Sequence, residues 1–191
     1  LKDRVYTSGA TSHLRRSAQT AMYEILVGLG KLMAPVLSFT ADEVWRYIPM
    51  SDKPLSVHLT EFPEVRAELV NEELAQEWER LLAVRDEVLR ALEVARKDRL
   101  IGSAQEAAVE VQASGEAFEF LAPRREALET ICIVSRLRVA QGEMAEPLLS
   151  VRVDPAPGRK CQRCWNYRES VGASATHPEL CERCVGVLGG V

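Results

Sequence analysis

Long apolar runs are missing from these 191 residues. Nothing approaches the about 18 consecutive apolar side chains of a membrane-spanning helix, and no charged-then-apolar leader follows Leu1. The chain therefore reads as a cytoplasmic segment with no membrane partner. Histidine is scarce too: His13, His58 and His177 are the only three, each isolated. No serine has a plausible His/Asp set beside it, and G-x-x-x-x-G-K-[ST], G-x-G-x-x-G and H-E-x-x-H are all absent. Catalysis by this chain alone is not expected. Positive charge is lacking overall, at a net −4, but unevenly: residues 1–62 carry +1, 63–157 carry −7 and 158–191 carry +2. A nucleic-acid partner would meet the two ends and avoid the acidic middle.

Cysteine is also sparse, yet four of the five residues fall in two C-x-x-C pairs, Cys161/Cys164 and Cys181/Cys184, 16 residues apart. Two residues between thiols let one tight turn aim both at a single ion, and two such turns supply a tetrahedral sulfur shell. One zinc ion is the expected cofactor. Four sulfurs leave no coordination position for water or substrate, so the ion is structural. The segment from Gly158 has few apolar side chains and needs the metal to fold, and Val171-Gly172-Ala173-Ser174 reads as a turn or short hairpin tip of a zinc ribbon. The fifth cysteine, Cys132, lies in an Ile-Cys-Ile-Val run and reads as a small core residue in a reducing compartment.

Upstream, residues 1–10 read as irregular. Thr11 or Ser12 can cap a helix whose apolar positions run from Leu14 to Leu32, with Arg15, Arg16 and Gln19 off the stripe, on a solvated face or in phosphate contact. Pro35 interrupts it. Thr40-Ala41-Asp42-Glu43 reads as a capping box for a short helix to Tyr47, and Ser56–Glu61 as extended chain. A second long helix runs from about Asn71 to Arg99, with Leu74, Trp78, Leu81, Val88, Leu92 and Ala95 on one face and the pairs Asp86/Arg90 and Glu93/Lys97 on the other. Alternation at Val109–Val111, helical spacing from Glu116 and Arg124, and strands near Ile133–Val134, Leu137–Val139 and Leu149–Val153 make a small α+β unit. Asp154–Gly158 reads as a stiff linker. The expected fold is multidomain and mainly α: a helical bundle over 1–101, an α+β junction over 102–157 and a zinc ribbon or knuckle over 158–191.

Arg163 inside the first knuckle and Trp165 just after it stand on a turn that metal would fix. A guanidinium and an indole suit unstacked bases and phosphates. The other reading is that Trp165 only covers the metal.

Four stretches together carry a resemblance: Arg15-Arg16-Ser17-Ala18-Gln19-Thr20-Ala21, Leu32-Met33-Ala34-Pro35 through Glu43-Val44-Trp45, Ser56-Val57-His58-Leu59, and Lys160-Cys161-Gln162-Arg163-Cys164-Trp165. In this order they resemble the C-terminal part of bacterial isoleucyl-tRNA synthetase. The Met-Ala-Pro segment is similar in the valine, leucine and isoleucine enzymes; the four-cysteine end points to isoleucine. The resemblance implies an anticodon-binding bundle lacking its first helices, a junction, and a zinc module gripping the anticodon stem-loop of isoleucine tRNA. By that resemblance Cys161, Cys164, Cys181 and Cys184 hold zinc, and Arg163 and Trp165 meet the anticodon. ATP would be used only by catalytic sequences absent here, the remainder of the synthetase being the covalent partner of a monomer. Ile101–Ala107 departs from the family's leucine-bearing version. The rivals are the zinc-finger end of a DNA-repair glycosylase and a zinc-stapled protein-interaction module.

Overall fold

The computed structural model describes residues 1–142 and 149–189. By packing, residues 1–70 form one unit and 71–189 another. Parts of the ranges expected above, 143–148 in the junction and 190–191 in the tail, lie outside the described residues.

In the first unit, α1 (Lys2–Thr7) occupies a stretch expected to be irregular, tied by the Thr7 hydroxyl, which donates to the Asp3 carbonyl at 2.7 Å. Helix α2 (His13–Met33) starts where Ser12 Oγ accepts the Arg15 N–H, as the cap signal predicts. Of its apolar stripe Ala18 is buried, while Leu14, Ile25, Leu29 and Leu32 stay exposed. Helix α3 (Ser38–Tyr47) begins one turn earlier than the capping box predicts: the Leu37 carbonyl already accepts the Ala41 N–H, which leaves Thr40 inside the first turn. Its far end is closed by Lys53, whose ammonium donates to the carbonyls of Trp45, Arg46 and Ile48 at 2.8–3.0 Å. Trp45 is the centre of this core, packed with Ala34, Ala41, Ile48 and Val57, its indole N–H donating to the Pro54 carbonyl.

Ser56–Glu61 is not extended throughout: Ser56 and Thr60 are, but the stretch between them is not. Asp42 accepts the Val57 N–H and the Ser56 hydroxyl, Ser56 Oγ accepts the His58 N–H, and a 3-10 turn forms at Val57–Leu59. Those local bonds satisfy the backbone without a neighbouring strand. His58 makes a structural contact, its Nε2 3.3 Å from the Ser38 carbonyl.

The second unit opens with α4 (Glu72–Lys97), capped by Asn71 Oδ1 on the Leu74 N–H. Leu81, Val88, Leu92 and Ala95 of its expected face are buried, whereas Leu74 and Trp78 are partly exposed. The surface pairs form one residue short of the predicted spacing, Glu87–Arg90 and Glu93–Arg96. That buried face joins one core with a three-stranded sheet, and by packing the chain divides ahead of α4.

Strand β1 (Ala107–Ala113) is central. It pairs in parallel with β2 (Arg136–Gln141) through a crossover of α5 (Gly115–Leu121) and α6 (Arg125–Cys132), and antiparallel with β3 (Leu149–Pro155). Alternate β1 residues, Ala107, Val109, Val111 and Ala113, point into the core with Leu121, Leu128, Cys132 and Leu137. Ile133 does not start a strand; at φ 58° it ends α6 in the left-handed region, its N–H on the Glu129 carbonyl. The linker is shorter than expected, because β3 runs through Pro155 and Ala156 N–H still donates to the Glu106 carbonyl. Beyond Gly158 come the short antiparallel pair β4 (Arg159–Lys160) and β5 (Tyr167–Arg168), then α7 (Glu182–Gly189). The molecule is thus mainly helical, with a small mixed sheet and a four-cysteine ribbon.

Candidate metal centre and nucleic-acid interface

The ribbon hairpin closes at the first knuckle, between β4 and β5; Val171–Ser174 lies in a turn after β5, with the Ala173 N–H on the Ser170 carbonyl and Gly172 at φ 101°, and Val171 is buried beside the sulfurs. Trp165 N–H donates to the Cys161 carbonyl and Cys161 N–H to the Asn166 carbonyl. This tight loop aims Cys161 and Cys164 inward, while Cys181 and Cys184 enter from the start of α7.

All four sulfurs are buried and lie within 4.8 Å of one another, with Cys164 and Cys181 at 3.8 Å. A tetrahedral zinc with Zn–S near 2.3 Å would need sulfurs about 3.8 Å apart, so the donor set fits that ion. The surroundings of Cys161 favour anionic sulfur, and those of Cys164 and Cys184 oppose it. Burial opposes charge on Cys161, but backbone N–H groups of Cys164, Cys181 and Arg163 outweigh it and bring the thiol down to about 6. Cys164 is pushed up to about 12, by burial first and then by its sulfur neighbours, against the Asn166 N–H. Burial likewise raises Cys184, opposed by the Arg163 guanidinium, whose Nη1 lies 3.7 Å from Cys184 Sγ. Gathering four thiolates here calls for a bound cation.

The Trp165 side chain is 56 % exposed, with the Lys160 ammonium 5.1 Å from its ring centre. Its backbone sits at φ 67°, a left-handed conformation that costs a bulky residue free energy. Arg163 is half-buried and supports a sulfur. Arg15 and Arg16 belong to the other unit, near the start of α2, Arg16 exposed and Arg15 half-buried.

Sequence reasoning passed over Lys160 as a partner of Trp165, although it abuts the first ligand. It also passed over two residues that hold the ribbon on the sheet, Glu129 and Ser135. Arg168 Nη2 donates to Glu129 Oε1 at 3.1 Å, and Tyr167 N–H to Ser135 Oγ at 2.6 Å. Neither lies near the cysteines in sequence, so no motif marks them.

The chain belongs to the anticodon-binding domain family of tRNA ligases, which its residues 1–111 match. Residues 158–186 match a zinc finger found in FPG and IleRS. Its relatives include isoleucine–tRNA ligases: that of Moorella thermoacetica is 45 % identical over 98 % of this chain and 21 % of the relative. Those of Syntrophotalea carbinolica and Desulforudis audaxviator are each 46 % identical, over 98 % and 100 % of this chain. The chain spans about a fifth of the length of these relatives. Among the described residues no helix is long and apolar enough to cross a membrane.

Proposed function

We propose that this chain is the non-catalytic, tRNA-recognising portion of an isoleucine–tRNA ligase, gripping the anticodon stem-loop of isoleucine tRNA. One structural zinc ion bound by Cys161, Cys164, Cys181 and Cys184 fixes the first knuckle. Trp165 stacks on an unpaired base, Arg163 and Lys160 supply positive charge beside it, and Arg15 and Arg16 meet phosphates. Joining isoleucine to its tRNA with ATP belongs to other parts of the ligase. The bundle is assigned to residues 1–101, the junction to 102–157 and the zinc ribbon to 158–191.

The observation that carries this reading is an exposed indole, held at a left-handed backbone position one residue after a buried cysteine and flanked by a lysine. An aromatic face so displayed suits single-stranded RNA, where stacking is worth roughly 1–3 kcal/mol per base. A fluorescence-polarisation assay tests it. Isoleucine tRNA should bind in preference to duplex DNA, and Trp165→Ala should weaken binding by roughly 1–3 kcal/mol with zinc retained. Equal affinity for a damaged duplex would favour the glycosylase reading; no nucleic-acid binding would leave a protein-interaction role.

A further inference from the structure

The ribbon is bolted to the sheet at two points that flank its exposed aromatic on the C-terminal side. Ser135, 0 % exposed, lies between α6 and β2. Its hydroxyl donates to the Gln105 carbonyl at 2.5 Å and accepts the Tyr167 N–H, while its own N–H donates to the Ala107 carbonyl at the start of β1. Glu129, on α6, divides its two oxygens: Oε2 accepts the Leu137 N–H at 3.0 Å and an Arg125 N–H at 3.2 Å, and Oε1 accepts Arg168 of the ribbon. Tyr167 and Arg168 are the whole of β5, two and three residues after Trp165. On the far side of the hairpin, Gly158 at φ 93° packs so closely that a Cβ would stand 2.3 Å from the Arg168 carbonyl carbon.

We infer that Glu129 and Ser135 are positioning residues for tRNA recognition: they hold β5 in one orientation on the sheet, so that Trp165 is presented to RNA at a fixed angle. Metal binding fixes the knuckle internally but does nothing to aim it. A ribbon free to pivot would bind the same ion and display the same indole, yet lose the alignment that makes the contact productive. The inference rests on the tRNA-binding reading above.

A double-mutant cycle with a hydrogen-exchange readout tests it in the intact chain. Ser135→Ala combined with Glu129→Gln should leave zinc content at one equivalent, speed amide exchange over residues 165–168, and weaken isoleucine-tRNA binding about tenfold. In a Trp165→Ala background the same pair should cause a clearly smaller loss, because the joint acts mainly through that side chain. An equal loss in both backgrounds, or none in either, overturns the inference. So does unchanged exchange over 165–168. If Trp165→Ala alone leaves tRNA affinity intact, the RNA-reading role falls, and the joint is then judged on exchange: acceleration with zinc retained upholds β5 fixation and its absence refutes it.

Discussion

Trp165 concentrates two separable properties in one residue, a backbone conformation and an aromatic face. At φ 67° tryptophan and alanine both bear a backbone cost that glycine escapes. Trp165→Gly is therefore expected to keep or raise the melting temperature while abolishing the stacking contribution to tRNA binding, a divergence that thermal melts beside polarisation titrations would reveal. Trp165→Ala should lose binding without that gain. Were binding and stability to fall together in the glycine variant, the indole would have to be holding the knuckle itself. Arg163 is the harder residue to read. Its contact with Cys184 sulfur assigns it a share of the metal site's charge balance, so Arg163→Gln is expected to lower zinc affinity as well as tRNA affinity, measurable by competition with a chelating dye.

Among the elements, those announced by local chemistry were legible. Ser12 and Asn71 cap the helices they precede, and the alternation around Val109 marks the central strand. The four cysteines, too, gather where two C-x-x-C pairs say they should. What was not legible depended on distant partners. Ser56–Glu61 has strand-like residues, but Asp42, 14 positions upstream, captures Ser56 and converts the stretch to a turn. Ile133 looks like the start of a strand and instead ends a helix in a conformation that β-branched residues avoid. Helix α4 reads equally well as a bundle helix or a sheet-packing helix, because amphipathic spacing does not say what lies opposite. Likewise Glu129 and Ser135 are ordinary residues until the ribbon folds back on them.

Asp42 also carries the pH prediction for its element. The Ser56 hydroxyl, and then Arg46, hold its carboxyl below the ordinary carboxylate range. Since the folded value lies below the unfolded one, near 3.9, the stabilisation is complete above the unfolded value and disappears as pH falls through the folded value. Asp42→Asn should thus destabilise α3 and its turn at neutral pH, with parent and variant converging in acid; denaturant melts across pH would show it. In the second unit, Gly158→Ala places a Cβ against the Arg168 backbone at a left-handed φ. A loss of roughly 1–3 kcal/mol is expected, localised to the β4–β5 pair by hydrogen exchange.

At the scale of the whole molecule, the proposed zinc would divide the chain into a part that needs it and parts that do not. The sheet core and the Trp45 core each bury their own apolar side chains, whereas the ribbon core is sulfur with Val171 and Leu180. Removing zinc with a chelator should unfold residues from about Gly158 onward, with the remaining helix signal in circular dichroism largely kept. Peptides of this kind draw roughly 10–16 kcal/mol from their metal, which is ample to hold so small a segment. Because Cys164 and Cys184 keep their protons unless a cation displaces them, zinc affinity should fall as pH is lowered. A calorimetric titration at two pH values would register both the weaker binding and the proton release.

Cys132 supplies an internal control for all such experiments. It is 2 % exposed inside the sheet core, and burial pushes its thiol up to about 11 despite nearby Arg85, so it is slow to react with alkylating reagents while the fold persists. A maleimide dye added to the loaded native protein should thus be silent, and after gentle demetallation should count four equivalents in a single step. The fifth would appear only in denaturant, turning an unremarkable buried sulfur into a gauge that tells loss of the ion from loss of the fold.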